Sequence, residues 1–340
     1  MIKLNRSIIL KVLIIFSLPA SIIFSIFLGR YPASPADVIG SIIHAIAPSL
    51  INSPPDPVQK IIILYRLPRV LAAALIGVAL SISGASLQSM MRNPLVSPHI
   101  LGITSGAAFG AALAIALLPS YVPIELIAMA WALVAFIIVL AIAWGWGRGS
   151  VVSLVLSGVI VNALFSAALS LVKYLTPDPH RLASITFWLM GDIGQAAQWK
   201  DITRMFFVII LCTLLLVLAR WRLNVLSLGD EEARALGVNP SIERLFFASL
   251  CALATASAVA YAGIIGWVGL IVPHIVRLAV GCDNRSVLLY TMFFGGTYMV
   301  LADDLSRCLT TEVIPIGILT TLMGAPLFIY LLRKAGRVWR

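Results

Sequence analysis

RLPRVLAAALIGVALSISGASLQSMMRNPLVSPHILGITSGAAFG, residues 66–110, decides what kind of protein this is. It holds two apolar runs, 67–91 and 99–118, separated by a polar turn at Arg92, Asn93 and Pro94. Each run is close to the ~20 residues that a helix needs to cross a bilayer core. Gly77, Ser81, Ala85 and Ser89 recur every four residues in the first run, and Gly102, Gly106 and Gly110 in the second. On a helix such residues share a face and let a neighbouring backbone come close. The pattern predicts closely packed helices; lining a pore is the other use of such a face.

The rest of the chain extends this reading. Of 340 residues, 61% are hydrophobic and 11% charged, and mean hydropathy is +1.03, which leaves too little polar surface to cover a soluble globule. Backbone groups in lipid must be satisfied within their own segment, so the spans are helices, and no alternating barrel pattern is present. Apolar runs place spans at about 8–28, 67–91, 99–118, 122–144, 151–175, 203–219, 245–262, 264–281, 286–302 and 313–332. The fold class is an all-α polytopic membrane protein with about ten transmembrane helices and both termini on one side. The first run has the basic flank of a signal peptide, but its apolar part is about 20 residues long with no small-residue cleavage site, and it reads as a retained span.

With the termini in the cytoplasm, 15 of the 24 Lys and Arg residues fall inside, from Lys3 and Arg6 through Arg148 to Arg337 and Arg340. Nine fall outside, Arg66, Arg69 and Arg307 among them. The bias fits the positive-inside rule. It also accounts for the net charge of +10 without nucleic acid, since no basic stripe with interleaved aromatics appears.

The connections carry the remaining signals. LSLGDEEARALGVNPSIER, residues 226–244, is a charged island read as a short cytoplasmic helix with Asp230 as N-cap, Glu231 and Glu232 in its first turn, and Gly237 ending it. The proline-rich outer loop, about 30–60, should be irregular or briefly helical. Residues 182–196 read as an outer surface helix, because their apolar centre is too short to cross. The span at 264–281 is broken by Pro273 and carries Arg277, which would cost about 2.5–3.5 kcal/mol at the bilayer centre and so belongs near the inner interface or against a partner. His99 reads as a hydrogen-bonded structural residue, and Cys212, Cys251, Cys282 and Cys308 have no metal or redox spacing.

No phosphate-binding GxxxxGK[ST] loop, H-E-x-x-H or G-x-S-x-G motif occurs, and no carboxylates or bases sit deep in several spans as a proton relay requires. The chain should have no catalytic residues, no metal site, and neither hydrolyse a nucleotide nor couple to an ion by itself.

Residues 66–111, the LSLGDEEARALGV island, AGIIGWVGLIVPHIVRL (262–278) and IPIGILTTLMGAPLFIYLLRKAGR (314–337) resemble the FecCD-type permeases. These are the membrane subunits of ABC importers for iron-siderophores, haem and cobalamin. The resemblance implies a type II importer architecture: a single permease domain over 1–340, a second permease subunit giving a homodimer, two cytoplasmic ATPases that bind ATP and Mg, and a periplasmic or extracellular binding protein. It further implies that Arg66, Arg69 and Arg307, matching arginines of the cobalamin-importing member, hold acidic residues of the binding protein. Gly229, Asp230, Glu231, Glu232, Ala233, Arg234, Ala235, Leu236, Gly237 and Val238, within a cytoplasmic coupling loop at about 221–244, would contact the ATPase. The family's cytoplasmic gate has small polar residues at the start of span five, where this chain has Val151 and Val152 between Ser150 and Ser153; this departs from the family pattern, although a hydrophobic constriction could also seal a pore. The expected cargo is a metal chelate, with a small oxyanion such as molybdate, or a stand-alone secondary carrier, as alternatives.

Overall fold

A computed structural model describes residues 6–47, 56–119, 121–147 and 149–335, among which every regular element is a helix. The helices are α1 (Arg6–Phe27), α2 (Pro35–Ile46), α3 (Asp56–Lys60), α4 (Leu67–Met90), α5 (Ile103–Leu117), α6 (Ile124–Gly147), α7 (Val151–Leu175), α8 (Pro179–Met190), α9 (Trp199–Leu228), α10 (Asp230–Ala235), α11 (Pro240–Ala262), α12 (Val268–Val280), α13 (Asn284–Cys308) and α14 (Ile316–Ala335). Lys3, Arg148, Arg337 and Arg340 of the charge argument, and residues 48–55 of the first loop, lie outside the described residues, as do the side chains of Arg6, Arg333 and Lys334.

Each predicted span overlaps a helix. Among the described residues, seven helices are long and apolar enough to cross a membrane: Ile8–Phe27, Pro57–Met90, Ile124–Gly147, Val151–Leu175, Trp199–Leu228, Pro240–Ala262 and Asn284–Cys308. α5 and α12 are shorter apolar helices, and α14 is one over its described side chains. The proline-rich loop holds more helix than its composition predicts, because Ser34 and Asp37 form a capping box at the start of α2. The 182–196 segment is α8 followed by a 3-10 turn over Ile193–Ala196.

α4 is the hub, buried over nearly its whole length and packed by α13, α11, α9 and α12. Its small residues make that possible. A Cβ on Gly77 would lie 2.3 Å from the carbonyl oxygen of Gly295, and one on Gly84 1.9 Å from that of Gly269, so α13 and α12 touch α4 backbone to backbone. Ser81 and Ser89 add hydrogen bonds on the same side, to the Thr291 carbonyl at 3.1 Å and to Asn284 Oδ1 at 2.6 Å. The second small-residue stripe seats α5 on Trp131 of α6, and Phe109, Trp131 and Phe165 meet edge-on with centroids 4.8–6.0 Å apart. Large apolar side chains such as Phe16, Phe24, Ile137, Leu164, Phe207 and Leu218 point outward from α1, α6, α7 and α9, the inverse of a protein that folds in water.

Pro273 does not break α12, which runs on to Val280. A proline lacks the N–H that would bond the carbonyl four residues back, here Gly269. Gln88 of α4 fills the gap, its Nε2 donating to the Gly269 and Leu270 carbonyls at 3.3 and 3.2 Å. Its Oε1 in turn accepts from Arg277 Nη1, while Arg277 Nη2 donates to Ser89 Oγ at 3.2 Å. The partner predicted for Arg277 is thus α4 itself. His99 is likewise structural, with Nδ1 2.5 Å from Thr104 Oγ1.

Candidate functional sites at the two ends of the bundle

At one end α4 begins and α13 finishes, which brings Arg66, Arg69 and Arg307 together. Arg69 forks onto Asp303, with Nε 3.0 and 3.1 Å and Nη2 2.9 Å from the carboxylate oxygens, and reaches Asp192 at 3.6 Å. Arg307, one turn beyond Asp303 on α13, approaches the same carboxylate at 3.1 Å and also pairs with Asp304. Its Nη2 donates to Ser25 Oγ of α1 at 2.9 Å, and that hydroxyl donates to Asp304 at 2.5 Å. Arg66 donates to the backbone carbonyls of Ile26 and Tyr31. Arg66, Arg307 and Asp303 are only 5%, 7% and 1% exposed. Bidentate, charge-assisted bonds of this kind hold α1, α4, α13 and the α8–α9 connection in one arrangement. Any external carboxylate that meets these arginines meets groups already engaged.

At the opposite end α10 is a single short helix between α9 and α11. Gly229 reverses the chain with φ +140°, where a Cβ would fall 2.2 Å from Glu232 Oε2. Asp230 is not the N-cap predicted from sequence. It is the first helical residue, and its carboxylate accepts from Arg244 of α11 instead of capping the helix. The predicted stop at Gly237 is present: Gly237 has φ +79°, and the N–H groups of Gly237 and Val238 close onto the carbonyls of Arg234 and Ala233, both at 2.9 Å. Ala233 is buried, while Glu231, Glu232, Arg234, Ala235 and Leu236 all face outward. The result is a small, rigid, mostly negative knob with Leu236 61% exposed.

The segment proposed as a gate lies at this end too. Ser150 caps α7, its Oγ accepting from the Ser153 N–H at 3.1 Å, and Val151 and Val152 form the first turn with Val152 67% exposed. Arg244 connects this segment to α10, since its Nη1 donates to the carbonyl of Gly149 at 3.2 Å. Nearby, Asn224 of α9 donates to Asp283 at 2.6 Å and accepts from the Asn284 N–H at 2.9 Å. That bond, with the Arg285 N–H, holds the Asp283 carboxyl below the usual carboxylate range.

Sequence reasoning missed Asp303, Asp304 and Arg244. The spacing of Asp303 and Asp304 from Arg307 on one helix was a usable signal. Nothing local marks the pairing of Arg69 with Asp303 or of Arg244 with Asp230.

Comparison with known proteins agrees with this architecture over almost the whole chain. The molybdate import system permease protein MolB of Haemophilus influenzae is 41% identical over 318 residues, 92% of this chain and 93% of its own. The cobalamin import system permease protein BtuC of Halobacterium salinarum is 41% identical over 281 residues, 82% of this chain and 75% of its own. A solved structure described as an inward-facing conformation of a metal-chelate type ABC transporter superposes with a TM-score of 0.83 at 39% identity, covering 95% of this chain and 98% of that one. The sequence pattern of the FecCD transport family matches residues 14–334, and the chain belongs to that family of ABC importer permeases.

Proposed function

We propose that this chain is the membrane pathway of an importer for a metal chelate, with about ten spans, both termini in the cytoplasm and two copies around a central route. In this reading a separate pair of ATPases binds ATP and Mg, a periplasmic or extracellular binding protein delivers cargo to the end that carries Arg66, Arg69 and Arg307, and the chain performs no chemistry on it. The observation that carries the coupling role is α10: a short helix, closed at its C-terminal end by Gly237 and anchored by Ala233 and by the pairing of Asp230 with Arg244, whose Glu231, Glu232 and Arg234 face outward. ATP-driven closure of the ATPases would push on it and rearrange the spans. Reversing Glu231 and Glu232 to lysine is expected to uncouple ATP hydrolysis from transport in liposomes while membrane insertion persists. Tight coupling in that variant would make α10 a mere loop.

A second cargo reading, a small oxyanion, rests on the match with MolB over 92% of this chain, at the same 41% identity as the cobalamin permease over 82%. The two separate by capturing the binding protein that associates with this chain and titrating it with a ferric siderophore, haem, cobalamin and molybdate while following its intrinsic fluorescence. Quenching by molybdate alone rejects the chelate reading, and quenching by one chelate alone rejects the oxyanion.

A further inference from the structure

We infer that Arg244 is a positioning residue through which movement of α10 reaches the start of α7. The inference rests on reading α10 as the ATPase contact. Arg244 lies in the second turn of α11 with its side chain only 5% exposed. Burying a guanidinium is costly unless acceptors meet its donors. Nη2 meets the Asp230 carboxylate on α10, and Nη1 meets the carbonyl of Gly149, 3.2 Å away beside the start of α7, while the buried Nε–H has no acceptor among the described residues, so these two contacts hold the side chain. The neighbouring Glu243 does not compete, since it is paired with Arg222 at 2.8 Å. One planar group therefore ties together the exposed knob, the base of α11 and the residue that precedes the α7 cap.

Both acceptors sit on stiff supports. Asp230 opens a helix whose far end is closed by two backbone hydrogen bonds. Gly149 has φ +69°, its N–H bonds the Ala143 carbonyl at 3.0 Å, and a Cβ there would lie 2.5 Å from the Trp144 ring and 2.8 Å from Ser241 Oγ. Gly149 is wedged, and Ser150 follows it directly as the cap of α7. A displacement of α10 meets no slack between Asp230 and the first turn of α7, where Val151 and Val152 stand. If Arg244 only kept the loop folded, its replacement would lower stability and nothing else. As a relay, it lets hydrolysis and assembly continue while α7 stops responding.

The experiment uses the whole transporter in liposomes, with its ATPase and binding protein. Exposed Cys282 and Cys308 are replaced by serine, and Val152→Cys is the reporter. A membrane-impermeant maleimide is applied with and without Mg-ATP and vanadate. The parent is expected to change its labelling rate at position 152 between the two states. Arg244→Lys keeps the charge but not the two-pronged geometry, and it should lose that change while the ATPase still co-purifies and hydrolyses ATP. Asp230→Asn, at a side chain 35% exposed, should do the same, and the double variant should be no worse than either single one. An unchanged response in Arg244→Lys or Asp230→Asn, or no response in the parent, overturns the relay. If Arg244→Lys fails to fold, Asp230→Asn decides alone. Reversal of Glu231 and Glu232 separates the two ideas: intact coupling there sinks the reading of α10, whereas uncoupling there with a normal response in Arg244→Lys sinks only the relay.

Discussion

Gly84→Ala is expected to abolish the monodisperse folded protein, although it adds one methyl group in the middle of an apolar helix. The new Cβ would sit 1.9 Å from the carbonyl oxygen of Gly269 and 2.7 Å from its Cα. No flexible side chain is there to swing aside, so α4 and α12 must separate along their length. Overpacking typically costs about 1–3 kcal/mol, and a backbone-on-backbone clash at the hub belongs at or beyond the upper end of that range. α12 would also slide off Gln88, which satisfies the carbonyl left free by Pro273. The control is Gly145→Ala in α6, where a Cβ meets nothing within 4 Å. There the better helix propensity of alanine should be neutral or add up to ~1 kcal/mol. Size-exclusion profiles and thermal unfolding of the two variants in detergent should diverge sharply; equal behaviour would mean that α4 and α12 are not in backbone contact.

Asp303→Ala is expected to cost about as much by a different route. The carboxylate is 1% exposed and is the shared partner of Arg69 and Arg307. Its removal leaves two guanidiniums, each less than a fifth exposed, facing each other with only the more distant Asp192 beside Arg69 and Asp304 beside Arg307. Breaking a buried ion pair from one side typically costs about 3–5 kcal/mol. Asp303→Asn keeps an acceptor and should cost less, so thermal stability should rank parent, asparagine variant, alanine variant. An alanine variant as stable as the parent would show that solvent already reaches the network. The same linkage bears on docking: Arg69→Ala should lower stability as well as affinity for the binding protein, and affinity has to be compared between variants of matched stability.

Most of the scaffold was readable because it depends on local order. Twenty or so apolar residues between charged turns make a span wherever they occur, which is why each predicted run overlaps a helix. Gly237 could be recognised as a helix stop because a positive φ is cheapest at glycine. The same local logic failed at Asp230. An aspartate at a helix start ordinarily caps it, but here Arg244, 14 positions away, takes the carboxylate. It failed at Pro273 as well, since the helix continues only because Gln88, 185 positions earlier in the chain, supplies the missing donor.

Taken by itself, the sequence determined that this chain is helical, built for lipid, and equipped with a charged knob at one connection and arginines at others. Those properties follow from composition and from periodicities of a few residues. Only the tertiary structure decided what the charges do. Arg69 and Asp303 are 234 positions apart, as are no two residues that any local pattern could pair. Inside a low-dielectric bundle an unpaired charge is too costly to persist, so the fold must bring such partners together, and which partners meet is settled by how the helices pack.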